Sequence, residues 1–310
     1  MSHNHNHAET FGRHLLLSML INLLIPAAQM VGGLLAGSVA LISDAVHNLG
    51  DFTALLVAFV ANKVGRTGPS VRHTFGLRRM EIFAAVINAA LLGGAAAYIA
   101  VEAMGRLSRP APVAVDLVAY LALAGIVGNG LSAWLLHKDS EKNLNARGAF
   151  LHMVGDLLTS VAVLVGALAM QFMNIPWLDP VLSLAIVAYI ILNCFWLLKD
   201  AVHVLMNGTP RGLDLEAVKT ELETLSQVEG IHYLHAWSMG NQSVAMTCHV
   251  VVPDQLISAT ETLSKAICEK LLERFGIDHP VLQFETRPCG KGALLCQMAC
   301  GANSDCGHIC

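Results

Sequence analysis

The sequence has little charge and few aromatic side chains for its length. Only 14% of its 310 residues are Asp, Glu, Lys or Arg, and 6% are Phe, Trp or Tyr. Soluble domains contain about 25% charged residues, so the composition argues against a water-soluble fold. No run of basic residues interleaved with aromatics is present, which argues against nucleic acid as a partner. The hydrolase patterns His-Glu-x-x-His and Gly-x-Ser-x-Gly are also missing, and we expect a protein that is not an enzyme.

Apolar residues make up 55% of the chain. They are concentrated in six segments, each long enough to cross the roughly 30 Å hydrocarbon layer of a bilayer. These segments are residues 15–35, 39–61, 82–104, 113–136, 149–172 and 181–202. The pattern predicts a polytopic α-helical membrane protein with six transmembrane helices in contact with membrane lipid.

The basic residues of the loops predict the orientation of these helices. The loops after the second and fourth segments and the end of the sixth carry nine Lys and Arg residues, whereas the loop between the third and fourth carries only Arg106 and Arg109. Cytoplasmic loops are enriched in Lys and Arg, so we expect both termini in the cytoplasm. Short loops favour a bacterial inner membrane.

The character of the chain changes after residue 208. Residues 213–225 and 257–275 have helical patterns, and residues 231–239, 244–252 and 281–285 have strand patterns. This order predicts a small α+β domain. We therefore expect an N-terminal tail at 1–13, a transmembrane domain at 14–208, a cytoplasmic domain at 209–287 and a Cys-rich tail at 288–310.

Two of the apolar segments carry the same pair of ionisable residues. His47 and Asp51 lie four residues apart in the second segment, as do His152 and Asp156 in the fifth. This spacing places both side chains on one helical face. An ionisable group in a bilayer costs about 2.5–3.5 kcal/mol, which favours a functional role. Two imidazoles and two carboxylates form a ligand set that suits zinc, although each pair could also be a local hydrogen bond.

Small residues and a third acid accompany these pairs. Gly50 and Gly155 each precede the aspartate and are expected to allow close helix approach. Asp44 lies on the same helical stripe as His47 and Asp51. It is either a structural residue near the membrane face or a functional relay.

A metal site of this kind also binds protons. Ligands must be deprotonated to hold a metal, so metal and protons compete for them. This competition is sufficient to couple metal export to proton import if the site alternates its access.

A second candidate site lies in the soluble domain. His232, His249 and Glu285 fall in the three predicted strands, and adjacent strands could bring them within reach of one cation. The alternative is a hydrogen-bonded histidine on a solvated sheet face.

Both tails contain residues that favour soft or borderline metals. The C-terminal tail carries Cys296, Cys300, Cys306 and Cys310, and the N-terminus carries His3, His5 and His7. Both tails are candidates for weak metal capture, although the N-terminal one could simply be polar. Cys194, Cys248 and Cys268 are expected to be ordinary buried thiols.

Several motifs resemble those of the cation diffusion facilitator family of zinc transporters. They are Gly-Ser-Val-Ala-Leu-Ile-Ser-Asp-Ala-Val-His at residues 37–47, His-Thr-Phe-Gly at 73–76, Asn-Ala-Arg-Gly-Ala-Phe-Leu-His at 145–152 and Gly-Ile-His-Tyr-Leu-His-Ala-Trp at 230–237. The resemblance implies six transmembrane helices, a cytoplasmic ferredoxin-like domain, a homodimer and metal/proton antiport. It also implies that His47, Asp51, His152 and Asp156 bind the transported metal, in the His-Asp/His-Asp pattern associated with zinc and often cadmium.

The resemblance implies roles for further residues. Positions matching His232, His249 and Glu285 help bind a structural or regulatory zinc ion in the family. It places a basic residue near Arg79 in a charge interlock between the protomers, and the alternative is that Arg79 is a positive-inside anchor. Its usual acidic partner is replaced here by Asn207, with Asp200 nearby.

The sequence thus predicts a secondary transporter that exports Zn²⁺ from the cytoplasm in exchange for protons, with Cd²⁺ and other divalent transition metals as further substrates. Two other functions remain open at this point. One is a membrane-anchored metal sensor, and the other is an intramembrane metalloenzyme in which zinc activates water.

Overall fold

The computed structural model describes residues 4–65, 67–140, 144–173, 175–240, 243–288 and 293–295. The elements in this part of the chain are α1 Asn4–Ala36, α2 Val39–Gly65, α3 Met80–Ser108, α4 Val115–Ser140, α5 Leu144–Met173, α6 Leu178–Leu205, α7 Leu215–Glu223, β1 Gly230–Gly240, β2 Ser243–Val251, α8 Ile257–Phe275 and β3 His279–Glu285. They divide into two units. The membrane unit contains residues up to 60 and 84–198, and the C-terminal unit contains residues 61–83 and the chain from 199 onward.

The membrane unit contains the long apolar helices that the sequence predicts. In the described part of the chain, α2 to α6 each contain a segment long and apolar enough to cross a membrane, and α1 contributes a shorter apolar segment, Leu20–Ala36. The predicted helical membrane fold is confirmed. The helix limits differ from the expected ones mainly at α1, which begins at Asn4 instead of near residue 15.

The surface of the membrane unit differs from that of a soluble protein. Large apolar side chains such as Leu91, Phe172 and Trp134 are exposed, whereas polar side chains are buried between the helices. In water, so much exposed apolar surface would favour aggregation. In a bilayer it lies against hydrocarbon, and buried polar groups such as Ser38, Asp44 and Asp179 find partners within the protein.

Helix α2 is capped by a residue from another helix. The carboxylate of Asp179, in the first turn of α6, accepts hydrogen bonds from the Ser38 hydroxyl at 2.5 Å and from the Val39 amide at 2.8 Å. The first amides of a helix have no partner within the helix, so Asp179 supplies one across the bundle. Further along the same two helices, the hydroxyls of Ser43 and Ser183 lie 2.7 Å apart.

The C-terminal unit contains a three-stranded mixed sheet in the order β1-β2-β3. Strands β1 and β2 are antiparallel, and β2 and β3 are parallel. Helices α7 and α8 bury their apolar faces, including Leu222 and Ile267, in a core with the sheet residues Ile231, Met246 and Val250. The predicted order of helices and strands is confirmed, and α8 matches the expected residues 257–275.

A bulge in β1 determines which of its side chains face this core. His232 pairs with His249 and His235 pairs with Thr247, so β1 has one extra residue between the two pairs. Tyr233 takes up the irregularity with a left-handed φ of 50°. A bulge of this kind shifts the alternation of side chains. Both Ile231 and Leu234 can therefore join the core, while His232 lies on the opposite face of the sheet.

The loop between α2 and α3 contacts the sheet within the C-terminal unit. Arg78 donates a hydrogen bond from Nη1 to the Ser243 hydroxyl at 2.7 Å, and that hydroxyl lies 2.6 Å from Asp278. The rings of Phe75 and His279 meet edge to face at 5.6 Å. The loop residues thus belong to this unit through direct polar and aromatic contacts.

Candidate metal centres

The structure brings the two predicted His-Asp pairs of the membrane unit together in a closed ring. His47 lies 3.4 Å from Asp51 and 3.5 Å from Asp156. His152 lies 3.4 Å from Asp51 and 3.6 Å from Asp156. Each carboxylate therefore contacts both imidazoles, one from its own helix and one from the other.

These separations are longer than ordinary nitrogen–oxygen hydrogen bonds. Hydrogen bonds between nitrogen and oxygen have a usual length of about 2.7–3.2 Å. Ligand atoms of tetrahedral zinc, with bonds of about 2.0–2.2 Å, lie about 3.3–3.5 Å apart. The four nitrogen–oxygen distances of 3.4–3.6 Å fall close to the second range, but His47 contacts Asp51 through Nδ1 and Asp156 through Nε2, so they are not all edges of one tetrahedron. With one ligand atom from each residue, His47, Asp51 and Asp156 are within reach of a single ion. Only one nitrogen of His47 can bind the ion, which leaves the other to hydrogen-bond, as is usual for zinc-bound histidines.

The ring has a buried side and an accessible side. The side chains of His47 and Asp156 are only 7% and 4% exposed, whereas those of His152 and Asp51 are 40% and 29% exposed. Tyr189 on α6 meets the His47 ring edge to face at 5.6 Å. The His47 and Asp156 half of the ring is thus buried by packing, and the side chains of the His152 and Asp51 half are partly exposed.

The two glycines next to the ligands differ in their surroundings. A Cβ on Gly50 would lie 2.7 Å from Leu92 of α3, so this glycine allows a close helix contact as predicted. A Cβ on Gly155 would meet no atom within 4 Å. The prediction that Gly155 serves a close helix approach is wrong, because it faces open space beside α5.

Asp44 does not join the ring. Its carboxylate accepts hydrogen bonds from Gln29, Thr159 and Ser160. The sequence pattern places Asp44 on the stripe of the candidate metal ligands but gives no sign of these partners, which come from α1 and α5.

The second predicted site also assembles, on the sheet face opposite the helices. His232 Nε2 lies 2.6 Å and His249 Nδ1 lies 3.2 Å from the same oxygen of Glu285, Oε1. The strand register explains this, because His232 pairs with His249 on β1 and β2 and Glu285 pairs with Val251, two residues further along β2. Three ligand atoms are therefore within reach of one cation.

The environment of His232 favours its neutral imidazole form. Burial lowers the pKa of His232 below its ordinary value, although the nearby Glu285 carboxylate opposes this effect. A neutral imidazole is the form that binds zinc. In the same domain, burial raises the pKa of Cys248 to about 12, so its thiol is protonated at neutral pH, as expected for a core cysteine.

The predicted interlock residue Arg79 has a neutral partner within its own chain. Its guanidinium donates a hydrogen bond to the Asn207 side-chain oxygen at 2.5 Å. Asp200, the other candidate, forms an ion pair with Arg211. Within this chain Arg79 therefore forms a charge-assisted hydrogen bond, and the interlock between protomers stays a prediction.

The candidate ligands of the tails lie outside the described residues. This applies to Cys296, Cys300, Cys306 and Cys310, to His3, and to the side chains of His5 and His7. Just before the last cysteines, the Ala293 and Leu294 carbonyls accept hydrogen bonds from the amides of the β1 bulge.

Comparison with known proteins identifies the class to which these features belong. Residues 15–206 match the family described as cation efflux transmembrane domain, and residues 210–287 match the family described as cation efflux protein, cytoplasmic domain. The chain therefore belongs to the cation efflux family, also called the cation diffusion facilitator family, and is an integral membrane protein. Its fold is the helical membrane domain followed by a cytoplasmic α+β domain that the sequence predicts.

Several bacterial relatives match nearly the whole chain. Zinc transporter ZitB of Pectobacterium atrosepticum is 38% identical over 93% of this chain and 90% of its own length. The cadmium, cobalt and zinc/H(+)-K(+) antiporter of Bacillus subtilis is 37% identical over 96% of both chains. Metal cation efflux system protein CzcD of Cupriavidus metallidurans is 33% identical over 93% of this chain and 90% of its own.

Proposed function

We propose that this protein is a secondary transporter that exports Zn²⁺ from the cytoplasm in exchange for protons. The ring of His47, Asp51, His152 and Asp156 carries this proposal. Its two carboxylates balance the charge of a divalent cation, and its two imidazoles favour zinc over calcium or magnesium. The names of the relatives, which include zinc transport and cadmium, cobalt and zinc antiport, support the substrate class.

Proton coupling follows from the chemistry of the ring. An unperturbed histidine titrates at a pH of about 6.5, within the range over which cellular compartments differ. A proton and a metal cannot occupy the same imidazole lone pair. If the site opens alternately to the two sides of the membrane, protons entering from the acidic side release the metal there. The accessible half of the ring, His152 and Asp51, is where the metal would enter.

We assign His232, His249 and Glu285 to a structural or regulatory zinc ion. Two imidazoles and one carboxylate leave a fourth position for water or for a residue of a second protomer. The 2.6 Å contact between His232 and Glu285 is a direct hydrogen bond, so zinc would have to separate these two groups. Zinc binding at this site would therefore change the spacing of β1 and β3.

The remaining assignments concern assembly and location. We infer cytoplasmic termini from the distribution of Lys and Arg in the loops. We infer a homodimer and a bacterial inner membrane from the family and from the bacterial relatives. Residues 1–13 and 288–310 are assigned as metal-capturing tails on the strength of their His and Cys content.

Transport in liposomes tests the main proposal. The purified chain is reconstituted with a pH gradient across the membrane, and zinc movement is followed with an enclosed fluorescent indicator. We expect gradient-dependent zinc flux that is lost in His47→Ala and Asp156→Ala. The matched control is His73→Ala, which removes an exposed histidine from the α2–α3 loop and should leave the flux unchanged.

The same assay separates transport from the other candidate functions. A membrane-anchored sensor or an intramembrane metalloenzyme would move no zinc with or without the gradient. Flux that persists in both ring variants would also contradict the proposal, because the ion would then follow another path.

A further inference from the structure

A buried carboxylate lies beside the ring without belonging to it. Asp44 on α2 is fully buried, with 0% exposure. It accepts hydrogen bonds from Gln29 Nε2 at 3.3 Å, Thr159 Oγ1 at 2.9 Å and Ser160 Oγ at 3.1 Å. All three donors are neutral. A buried carboxylate is costly unless its oxygens are well satisfied, so these bonds hold Asp44 and its partners firmly in place.

The position of Asp44 connects it to the metal ligands of both helices. It lies one turn before His47 on α2, and its partners Thr159 and Ser160 lie one turn after Asp156 on α5. The four metal ligands come only from α2 and α5. The relative position of these two helices therefore sets every ligand distance that crosses between them.

Two of the partners of Asp44 are also tied to the backbone. The Gln29 amide has two protons, and they are directed to Asp44 and to the carbonyl of Leu121 on α4. The Thr159 hydroxyl lies 2.9 Å from the Asp44 carboxylate and 2.8 Å from the main-chain carbonyl of the metal ligand Asp156. It therefore contacts Asp44 and the backbone of a ligand at the same time.

A glycine on helix α4, Gly125, leaves room for the Gln29 and Ser160 donors. A Cβ on Gly125 would lie 2.6 Å from Gln29 Nε2 and 3.0 Å from Ser160 Oγ. A methyl group there would displace both donors from Asp44 without touching the carboxylate or any metal ligand. Four helices thus meet at Asp44, namely α1, α2, α4 and α5.

We propose that Asp44 is a positioning residue that fixes α2 against α5 through Thr159, Ser160 and Gln29, and that it thereby sets the size of the metal ring and its preference for zinc. This inference rests on the proposed role of the ring as the transport site. The role of Asp44 is to hold hydrogen bonds, and it requires neither its negative charge nor direct contact with the metal.

The conservative variant Asp44→Asn separates a hydrogen-bonding role from a role that needs the negative charge. In Asp44→Asn, the amide oxygen can accept from Gln29 and Ser160, and the amide nitrogen can donate to Thr159. The Thr159 hydroxyl can then turn its proton to the Asp156 carbonyl, which is already 2.8 Å away. Every link between the helices is preserved without the charge. Asp44→Ala and Thr159→Val remove links, and Gly125→Ala displaces the donors.

Cobalt spectroscopy on the full-length protein in detergent tests the proposal. Tetrahedral Co²⁺ has intense visible d–d absorption, and subtracting the spectrum of the same chain with His47→Ala isolates the ring. We expect the band to be retained in Asp44→Asn and reduced by at least half in Asp44→Ala, Thr159→Val and Gly125→Ala. In these three variants zinc affinity should fall at least tenfold and cadmium affinity less than threefold, because the larger ion tolerates a wider ring.

The control is Ser43→Ala, which removes the contact with Ser183 on α6 and should leave the cobalt band intact. The proposal is overturned if Asp44→Asn is as damaging as Asp44→Ala, since the charge would then be the essential feature. It is also overturned if Thr159→Val and Gly125→Ala bind both metals as the unaltered protein does. If His47→Ala has no effect on the band of the unaltered protein, the ring is not the metal site, and the proposed function fails instead.

Discussion

Replacing Asp156 by Asn should weaken zinc binding far more than replacing Asp51. The two carboxylates of the ring neutralise a divalent ion, so either change leaves one net positive charge in the membrane unit. A charge at the centre of a membrane helix costs about 2.5–3.5 kcal/mol. At about 1.4 kcal/mol per tenfold change in affinity, this corresponds to a loss of about 60- to 300-fold.

The two variants should differ because their surroundings differ. The Asp156 side chain is 4% exposed, so water cannot stabilise the uncompensated charge, and the full loss is expected. Asp51 is 29% exposed, and although its Oδ2, which faces both imidazoles, is buried, partial solvation of the rest of the carboxylate should reduce the loss to about tenfold or less. Asn keeps an oxygen ligand of similar size at both positions, so charge is the main change.

Zinc affinity is measured by competition with a fluorescent chelator in detergent. The assay uses a shortened variant that ends at Arg287 and carries His232→Ala and His249→Ala. The C-terminal tail and the cytoplasmic site then do not contribute to the measured affinity. Asp179→Asn is the matched control, because it alters an equally buried carboxylate that contacts α2 only at its first turn. An Asp156→Asn variant within fivefold of the parent, or a larger loss for Asp51→Asn, would refute the charge argument.

Three further predictions concern stability. Asp179→Ala leaves amides at the start of α2 without a partner and should destabilise the membrane unit by about 2–4 kcal/mol, measured by thermal unfolding in detergent; an unchanged midpoint would contradict the capping role. Gly50→Ala should destabilise the same unit, because the added methyl group would collide with Leu92. Gly155→Ala faces open space and should stabilise α5 by up to about 1 kcal/mol. Equal effects of the two substitutions would contradict the difference in their surroundings. Burial lowers the pKa of His232 in the folded protein. The metal-free C-terminal unit should therefore have its full stability above about pH 6.5, the ordinary histidine pKa, and lose stability as the pH falls through the lower pKa of the folded state. His232→Gln should flatten this dependence of stability on pH in thermal scans from pH 7.5 to 5.

The ring could be predicted from the sequence because each His-Asp pair is defined by the spacing of nearby residues on one helix. Four-residue spacing on an apolar helix places His47 beside Asp51 and His152 beside Asp156 without knowledge of the fold. The cost of burying ionisable groups in lipid then indicates that the pairs face each other. The strand order similarly predicts that His232, His249 and Glu285 meet.

The contacts that support the ring could not be predicted in the same way. Gln29, Thr159 and Ser160 are common residues of membrane helices, and their convergence on Asp44 depends on the rotation of α1 and α5 about their axes. Asp179 is a charged residue at the edge of an apolar segment, and only the packing of α6 against α2 reveals it as a cap.

The bulge at Tyr233 has no sequence signal either, because left-handed backbone is unusual for an aromatic residue. Its position is determined by the need to bury both Ile231 and Leu234. The failure at Gly155 has the same origin, since a glycine in a helix does not reveal which neighbour it faces.

Zinc X-ray absorption on the membrane site is the most direct measurement. The sample is the chain that ends at Arg287 and carries His232→Ala and His249→Ala, loaded with one equivalent of zinc. Binding by the ring predicts four nitrogen or oxygen neighbours at about 2.0–2.2 Å, with the outer-shell scattering of two imidazoles, and loss of one imidazole in His152→Ala. A six-oxygen shell, or a spectrum that His152→Ala leaves unchanged, would contradict a zinc ion held between α2 and α5.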